Sequence, residues 1–159
     1  MLADLKLNNV LFLDTETVPI KYNFEDLSPD FQKLWEEKTF WQRKEEFTPA
    51  EFYKKKAGVM AEFAKVVCIS VGYLFSEKGE NHFRIKSFYA DEEKELLSDF
   101  ILLLNEGFNT KSHLLCAHNG KEFDFPFLAR RVLINQLKLP KLLDISGKNS
   151  FIFSSLPAK

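Results

Sequence analysis

The chain has 159 residues, of which 45% are hydrophobic and 28% are charged, and its formal net charge at pH 7 is −1. This length and balance are typical of one globular domain with its own core, and they exclude a strongly charged disordered chain and an overall basic nucleic-acid binder. No stretch approaches the ~20 apolar residues of a membrane span and no signal-peptide pattern begins the chain, so we expect a soluble cytoplasmic protein without membrane contact.

The first predicted element is a strand that ends in two acidic residues. The apolar run VLFL at residues 10–13 is typical of a buried strand, and DTET follows it at residues 14–17. Residues two apart on a strand point the same way, so Asp14 and Glu16 are expected to face together. A divalent ion such as Mg²⁺ or Mn²⁺, which prefers oxygen ligands, would relieve their repulsion. This stretch alone is equally compatible with half of a metal site and with two solvated loop residues.

A helical insertion is predicted at about 18–65, a segment rich in charged and aromatic residues. Thr48 and Glu51 have the spacing of a capping box with Pro49 between them, and Ser28 precedes another helix start. The charge runs of this segment are expected on solvated helix faces. The alternative is a flap over a substrate. The aromatic residues that would matter in such a flap are Trp35, Trp41, Phe47 and Phe52.

The rest of the chain predicts a mixed α/β fold. Residues 65–75 and 82–89 read as strands joined by a short turn containing Gly79, and a helix is expected from Asp91 to Gly107. A short apolar strand at residues 114–117 is followed by a further amphipathic helix. A hairpin followed by helix, strand and helix predicts a mixed sheet flanked by helices. The apolar stripe predicted for the last helix comprises Phe125, Leu128, Ala129, Val132 and Leu133.

A second polar constellation lies between the last predicted strand and helix, at residues 118–124 with the sequence HNGKEFD. Asp124 falls at the helix start, where unpaired backbone N–H groups favour an acidic side chain, so a simple capping role is the plain interpretation. Functional groups in an open α/β sheet gather where strands end and helices begin. Asp124 could therefore join Asp14 and Glu16 at one metal site.

These two motifs, in this order, resemble the first and second exonuclease motifs of the DnaQ-like DEDD 3′-5′ exonucleases. More narrowly, residues 61–73 and 119–131 are similar to the bacterial predicted exonucleases that resemble the proofreading domain of B-family DNA polymerases. The resemblance covers roughly residues 9–144. It implies a ribonuclease H-like fold, in which three antiparallel strands are extended by a parallel strand, and hydrolysis of terminal phosphodiesters at the 3′ end of single-stranded nucleic acid, DNA in the first instance.

The resemblance also implies roles for individual residues. Asp14, Glu16 and Asp124 would be the catalytic metal ligands, holding two Mg²⁺ or Mn²⁺ ions that activate water and stabilise the leaving oxygen. The residues implied in substrate binding are Thr15 and Thr17, which would line the terminal nucleotide, and Asn119 and Phe123, which would position the strand, Phe123 by stacking on a base.

The resemblance breaks at the third motif, where the family has a fourth carboxylate on a late helix with a Tyr or His shortly before it. Asp144 is the only acidic residue after Leu137, and it lacks that helical context. We therefore expect a C-terminally incomplete fold that lacks the last strand and helices, impaired activity, and self-association through an exposed sheet edge.

Two other functions fit parts of the sequence. A haloacid dehalogenase-type phosphatase also places Asp-x-Asp after an apolar strand, but Glu16 stands where that family has its second Asp. A ribonuclease H-like module that binds nucleic acid without catalysis would explain the absent fourth carboxylate. A zinc site at His82, His113 or His118 is disfavoured, because none has ligand spacing with a cysteine. Cys68 and Cys116 are expected to be buried thiols.

Overall fold

The structure is a computed structural model, and it describes residues 5–145 and 152–154. The strands are β1 (Val10–Pro19), β2 (Ala64–Glu77), β3 (Glu80–Phe88), β4 (Leu114–Ala117) and β5 (Ile152–Ser154). The α-helices are α1 (Pro29–Arg43), α2 (Pro49–Lys56), α3 (Glu93–Gly107) and α4 (Asp124–Ile134). No helix in the described part of the chain is both long enough and apolar enough to cross a membrane.

The five strands form one mixed sheet in the order β3-β2-β1-β4-β5. The first three strands are antiparallel, and β4 extends them in parallel with β1, with Val10 opposite Leu114 and Phe12 opposite Cys116. This arrangement confirms the predicted mixed α/β architecture and is that of a ribonuclease H-like fold. Within the described residues β3 and β5 are the edges of the sheet. Self-association through such an edge stays a prediction.

The strand β5, which pairs in parallel with β4, was not predicted. The sequence predicts that the last strand of the fold is missing and indicates no strand in the C-terminal tail. Three residues are too short a run for hydrophobic periodicity to identify, and pairing with a neighbouring strand is what defines them as a strand. The tail on either side of β5 lies outside the described residues.

Contacts divide the chain into two compact units. One is formed by the segments before Thr17 and after Lys65, and the other is Thr17–Lys65, the segment in which the sequence predicts a helical insertion. Each unit has buried aromatic residues. In the second unit Trp35 is fully buried, with its ring centroid 4.9 Å from that of Phe63 and 5.0 Å from that of Tyr53.

Both predicted helix starts of the second unit are confirmed. The Ser28 hydroxyl accepts the N–H of Phe31 at the start of α1, and Thr48 and Glu51 form the reciprocal capping box at the start of α2. Of the four aromatic residues named for a flap, Trp35 and Phe52 are buried in the core of this unit and Phe47 is half-buried. Trp41 is exposed. Most of these rings therefore stabilise the unit itself.

The first unit packs the apolar faces of α3 and α4 into its core. The helix predicted to end at Gly107 is confirmed as α3, and its residues Leu96, Phe100 and Leu104 are buried. The predicted start at Asp91 is wrong by two residues, because Glu92 is the N-cap, whose carbonyl accepts the first helical N–H groups, and the helix begins at Glu93. The predicted stripe of α4 is also confirmed except at Leu133. That residue is exposed because it follows Val132 by about 100° around the helix.

A buried ionic cluster joins the two helices. Glu93, in the first turn of α3, accepts hydrogen bonds from Arg131 Nε at 2.9 Å, from Asn135 Nδ2 at 2.9 Å and from the backbone N–H of Val66 at 2.8 Å. Arg131 makes a second contact with the other oxygen of Glu93, and both side chains are 8% exposed. Burial raises the pKa of Glu93, but these hydrogen bonds and the charge of Arg131 outweigh it, so that the pKa lies below its ordinary value.

The β2–β3 hairpin turns through Lys78 and Gly79, both of which have positive φ (+53° and +84°). Two such residues between paired Glu77 and Glu80 are the pattern of a type I′ turn, which favours Asn-Gly over Lys-Gly.

Lys78→Asn is therefore expected to raise the free energy of unfolding by about 0.5–1 kcal/mol. Urea unfolding measures the change. Lys78→Ala, which keeps the strained backbone, should bring no gain, and a gain equal to that of Asn would contradict the turn assignment.

Candidate functional site

The end of β1 presents its polar residues alternately. Asp14 and Glu16 are exposed, whereas Thr15 between them is 7% exposed. Because successive side chains of a strand point to opposite faces, this alternation places the two carboxylates on one face and the threonine on the other. The expectation that Asp14 and Glu16 face together agrees with this pattern.

The connection from β4 to α4 is a tight turn. Asn119 has a positive φ of +56°, and its carbonyl accepts the N–H groups of Glu122 and Phe123. Gly120 is buried, and a Cβ there would lie 2.5 Å from the Phe125 ring and 2.7 Å from the Ala117 Cβ, so only glycine fits without a shift. The sequence Asn-Gly thus sets the backbone path that delivers Asp124.

Asp124 is the first residue of α4 and is 3% exposed. The residue preceding the helix as N-cap is Phe123, so the plain interpretation of Asp124 as an N-cap is off by one position. Phe123 is half-buried, and its ring lies 5.3 Å from that of Phe127. A role of Phe123 in stacking on a base stays a prediction.

The two sequence motifs meet through one buried hydrogen bond. Thr15 Oγ1 donates to Asp124 Oδ1 at 2.6 Å, although the two residues are 109 positions apart in sequence. Burial raises the pKa of Asp124 above its ordinary value; the Thr15 hydroxyl and the backbone N–H groups of Asp124 and Thr15 oppose the rise, and the charge of Asp14 adds to it. Asp14 therefore lies close enough to Asp124 for their charges to interact.

The structure thus brings Asp14, Thr15 and Asp124 together at one end of the parallel strand pair. The described residues contain no group of three or more acidic, histidine or cysteine side chains close enough together to hold a metal ion. The donor chemistry of the site suits Mg²⁺ or Mn²⁺, since its carboxylate oxygens are the ligands these ions prefer. Thr17 belongs to the second unit, where its hydroxyl donates to the Gly58 carbonyl at 2.6 Å.

Asp144 lies outside a helix, as the sequence predicts. It follows a three-residue 3₁₀ turn, Lys141–Leu143, and its backbone is extended. Ser146 and Gly147, which led to the expectation of a turn after Asp144, lie outside the described residues. Cys68 and Cys116 are free thiols and only half-buried, and burial raises the pKa of Cys116.

The contact between Thr15 and Asp124 was not predicted. The family resemblance implied instead that Thr15 lines the terminal nucleotide. The signal that could have identified its position is the strand alternation itself, because a residue between two exposed carboxylates must point to the opposite face. Which helix lies behind that face depends on the fold and not on the local sequence.

A comparison with protein-family models matches residues 59–155 to the family described as predicted 3′-5′ exonucleases related to the exonuclease domain of PolB. The match covers more than half of the chain. The chain belongs to this PolB-related exonuclease family. The matched range includes the turn at Asn119 and the start of α4 at Asp124, whereas Asp14 and Glu16 precede it. No curated protein sequence matches the chain.

Membership of the PolB-related exonuclease family makes this an exonuclease-type domain and favours a nuclease over the phosphatase alternative. β1 ends before the residues matched by the family model begin. The hydrogen bond from Thr15 to Asp124 shows that β1 lies beside the matched second motif.

Two substitutions at Asn119 separate its role in the backbone turn from a role in binding substrate. Its left-handed conformation suits Asn or Gly, and other residues pay about 1–2 kcal/mol there. Asn119→Ala is therefore expected to lower the free energy of unfolding by about 1 kcal/mol, and Asn119→Gly to leave it nearly unchanged. Chemical denaturation of both variants measures the difference. Equal stability of the two would contradict the backbone role.

Proposed function

We propose that this protein removes nucleotides from the 3′ end of single-stranded nucleic acid, DNA in the first instance, with divalent metal ions. The observation that carries the proposal is the buried hydrogen bond from Thr15 to Asp124, which joins the acidic strand end to the start of α4. Membership of a family of 3′-5′ exonucleases supports the same chemistry.

In this proposal Asp14, Glu16 and Asp124 hold Mg²⁺ or Mn²⁺. Bound ions of this kind supply an activated water and neutralise charge on the scissile phosphate. The exposed carboxylates of Asp14 and Glu16 present oxygen ligands towards solvent, where a phosphodiester can approach. The buried Asp124 contributes a carboxylate fixed at the start of a helix.

Four residues are proposed to hold the substrate. Thr15, through its backbone, and Thr17 would line the terminal nucleotide, and Asn119 and Phe123 would position the strand. Support comes from location, because Asn119 is exposed in the turn that precedes Asp124. A phenyl ring such as that of Phe123 can stack on any base, which suits an enzyme that removes nucleotides irrespective of sequence.

We propose that turnover by this polypeptide is slow. Residues 5–145 and 152–154 hold no assembled group of three metal-ligating side chains, and Asp144 lies after a short turn, not on a helix. Incomplete assembly of the site is costly, because positioned acid and base groups contribute about 10²- to 10⁴-fold to rates.

The proposal is tested with a 3′-labelled single-stranded oligodeoxynucleotide and enzyme in excess, so that slow turnover is still visible. We expect release of the labelled mononucleotide with Mn²⁺ or Mg²⁺ and none with EDTA. A 5′-labelled strand should shorten stepwise, and an RNA strand in parallel determines the preferred sugar. Internal cleavage, or no metal-dependent release in a single-turnover experiment, would contradict the proposal.

A second candidate function is a module that binds nucleic acid without catalysis. The observation that favours it is the absence, within the described part of the chain, of an assembled three-ligand group. The two functions differ in their response to Asp14→Ala. A binding module should keep its affinity for a single-stranded oligonucleotide without metal, whereas binding through metal ions should weaken in the variant and in EDTA.

A further inference from the structure

The Thr15 hydroxyl is buried and committed to one partner. Its hydrogen bond to Asp124 is 2.6 Å long, within the range of a hydroxyl donating to an ionised carboxylate, and both side chains are almost fully inaccessible to solvent. A buried carboxylate is stabilised only by the donors around it, so each donor also determines how the carboxylate is turned.

The strand geometry directs the side chain of Thr15 away from those of its neighbours Asp14 and Glu16 and towards α4. Asp14 and Glu16 project from the exposed face of β1, and Thr15 projects from the opposite face against the first residue of α4. The hydroxyl of Thr15 is buried against Asp124 and therefore cannot contact a nucleotide. It can act on the site through Asp124.

We propose that Thr15 is a positioning residue, whose hydroxyl orients the Asp124 carboxylate so that it serves the same metal site as Asp14. This inference rests on the proposed function and gives Thr15 a role distinct from lining the nucleotide with its side chain. The Thr15 side chain donates to the carboxylate through its hydroxyl alone. Valine has the same shape but no hydroxyl, so it cannot replace threonine here, whereas serine keeps the donor.

The consequence is an effect on metal affinity that exceeds the effect on folding. Removing a group that orients a metal ligand costs about 10- to 100-fold in affinity for the metal. Thr15→Val should therefore weaken binding of Mn²⁺ by at least about tenfold, and Thr15→Ser should bind it within about twofold of the unchanged protein. Exonuclease activity of Thr15→Val should recover at high Mn²⁺ concentration.

The experiment measures Mn²⁺ binding by calorimetry for the full chain and for Thr15→Val, Thr15→Ser and Thr15→Ala, with thermal unfolding of each. Thr39→Val is the matched control, because Thr39 is a fully buried threonine whose hydroxyl donates to the Trp35 carbonyl. Loss of this hydroxyl should lower the stability of the protein and leave its affinity for Mn²⁺ unchanged. A loss of affinity in Thr15→Val and Thr15→Ala, restored by Thr15→Ser, supports the positioning role.

The outcomes separate this inference from the function on which it rests. If the unchanged protein binds no Mn²⁺, the proposed function fails and the role of Thr15 fails with it. If the unchanged protein binds Mn²⁺ and Thr15→Val binds it equally well, the function stands and the positioning role is overturned. Should Thr15→Val fail to fold, equal affinity of Thr15→Ala and Thr15→Ser would overturn it.

Discussion

Arg131→Met is expected to lower the free energy of unfolding by about 3–5 kcal/mol, because it leaves the buried Glu93 carboxylate without its charged partner. Both side chains are 8% exposed, and Arg131 makes two contacts with that carboxylate. Methionine fills much of the same volume, so the loss comes from the charge and its hydrogen bonds. Urea unfolding at pH 7 measures the change.

The matched control is Arg130→Met, since Arg130 is the exposed neighbour on the same helix. It should change stability by no more than about 0.5 kcal/mol. A double variant with methionine at both Glu93 and Arg131 should be more stable than Arg131→Met alone, because no buried charge is left unpaired. Equal stability of Arg131→Met and Arg130→Met would contradict the importance of the cluster.

The same cluster predicts a pH dependence. The pKa of Glu93 is lower in the folded protein than in the unfolded chain, so its contribution is fully present above the unfolded pKa and is lost as the pH falls through the folded pKa. In Arg131→Met only burial, Asn135 and the Val66 N–H act on Glu93, and the pKa should rise. The difference in stability between the two proteins should therefore shrink as the pH falls from the raised pKa of Glu93 in Arg131→Met through its lowered pKa in the parent protein.

Asp14→Asn is expected to reduce the single-turnover rate of 3′ nucleotide release by at least about 10²-fold. The substitution removes one charge from an exposed side chain, so the fold should be unaffected. The physical reason is that a neutral amide holds a divalent cation far less well than a carboxylate does. Release of label from a 3′-labelled oligodeoxynucleotide measures the rate at fixed Mn²⁺.

Asp99→Asn provides the control, because Asp99 is an exposed aspartate on α3 outside the site. It should leave the rate unchanged, and both variants should unfold at the temperature of the parent protein. Nucleotide release by Asp14→Asn at the same rate as by Asp99→Asn would remove Asp14 from the catalytic machinery.

Much of the fold could be predicted from local patterns. The capping box at Thr48 and the apolar spacing of α3 specify their elements within a few residues, because the interactions involved are local. The ends of elements were predicted less accurately, since the start of α3 was placed at Asp91 and lies at Glu93. The apolar stripe of α4 was predicted one residue too wide, because it included the exposed Leu133. The strand β5 could not be predicted, since three residues gain strand structure only by pairing with β4.

The contacts around the candidate site could not be predicted from the sequence. Asp14, Glu16 and Asp124 were proposed from two motifs, and the approach of the Asp14 strand end to Asp124 depends on the parallel pairing of β1 with β4. The bond from Thr15 to Asp124 and the cluster of Glu93 with Arg131 join residues far apart in sequence. Such pairs are set by the packing of helices on the sheet, which no local pattern contains.

We propose that carboxylates from β1 and from the start of α4 serve one metal site. The most direct test is to measure, by electron paramagnetic resonance, the affinity for Mn²⁺ of the unchanged protein, Asp14→Asn, Asp124→Asn and the double variant. We expect each single change to weaken binding by at least about tenfold, and the double variant to be weaker by less than the product, because both residues hold the same ion. Binding that is unaffected by Asp124→Asn, or independent losses that multiply, would contradict a shared site.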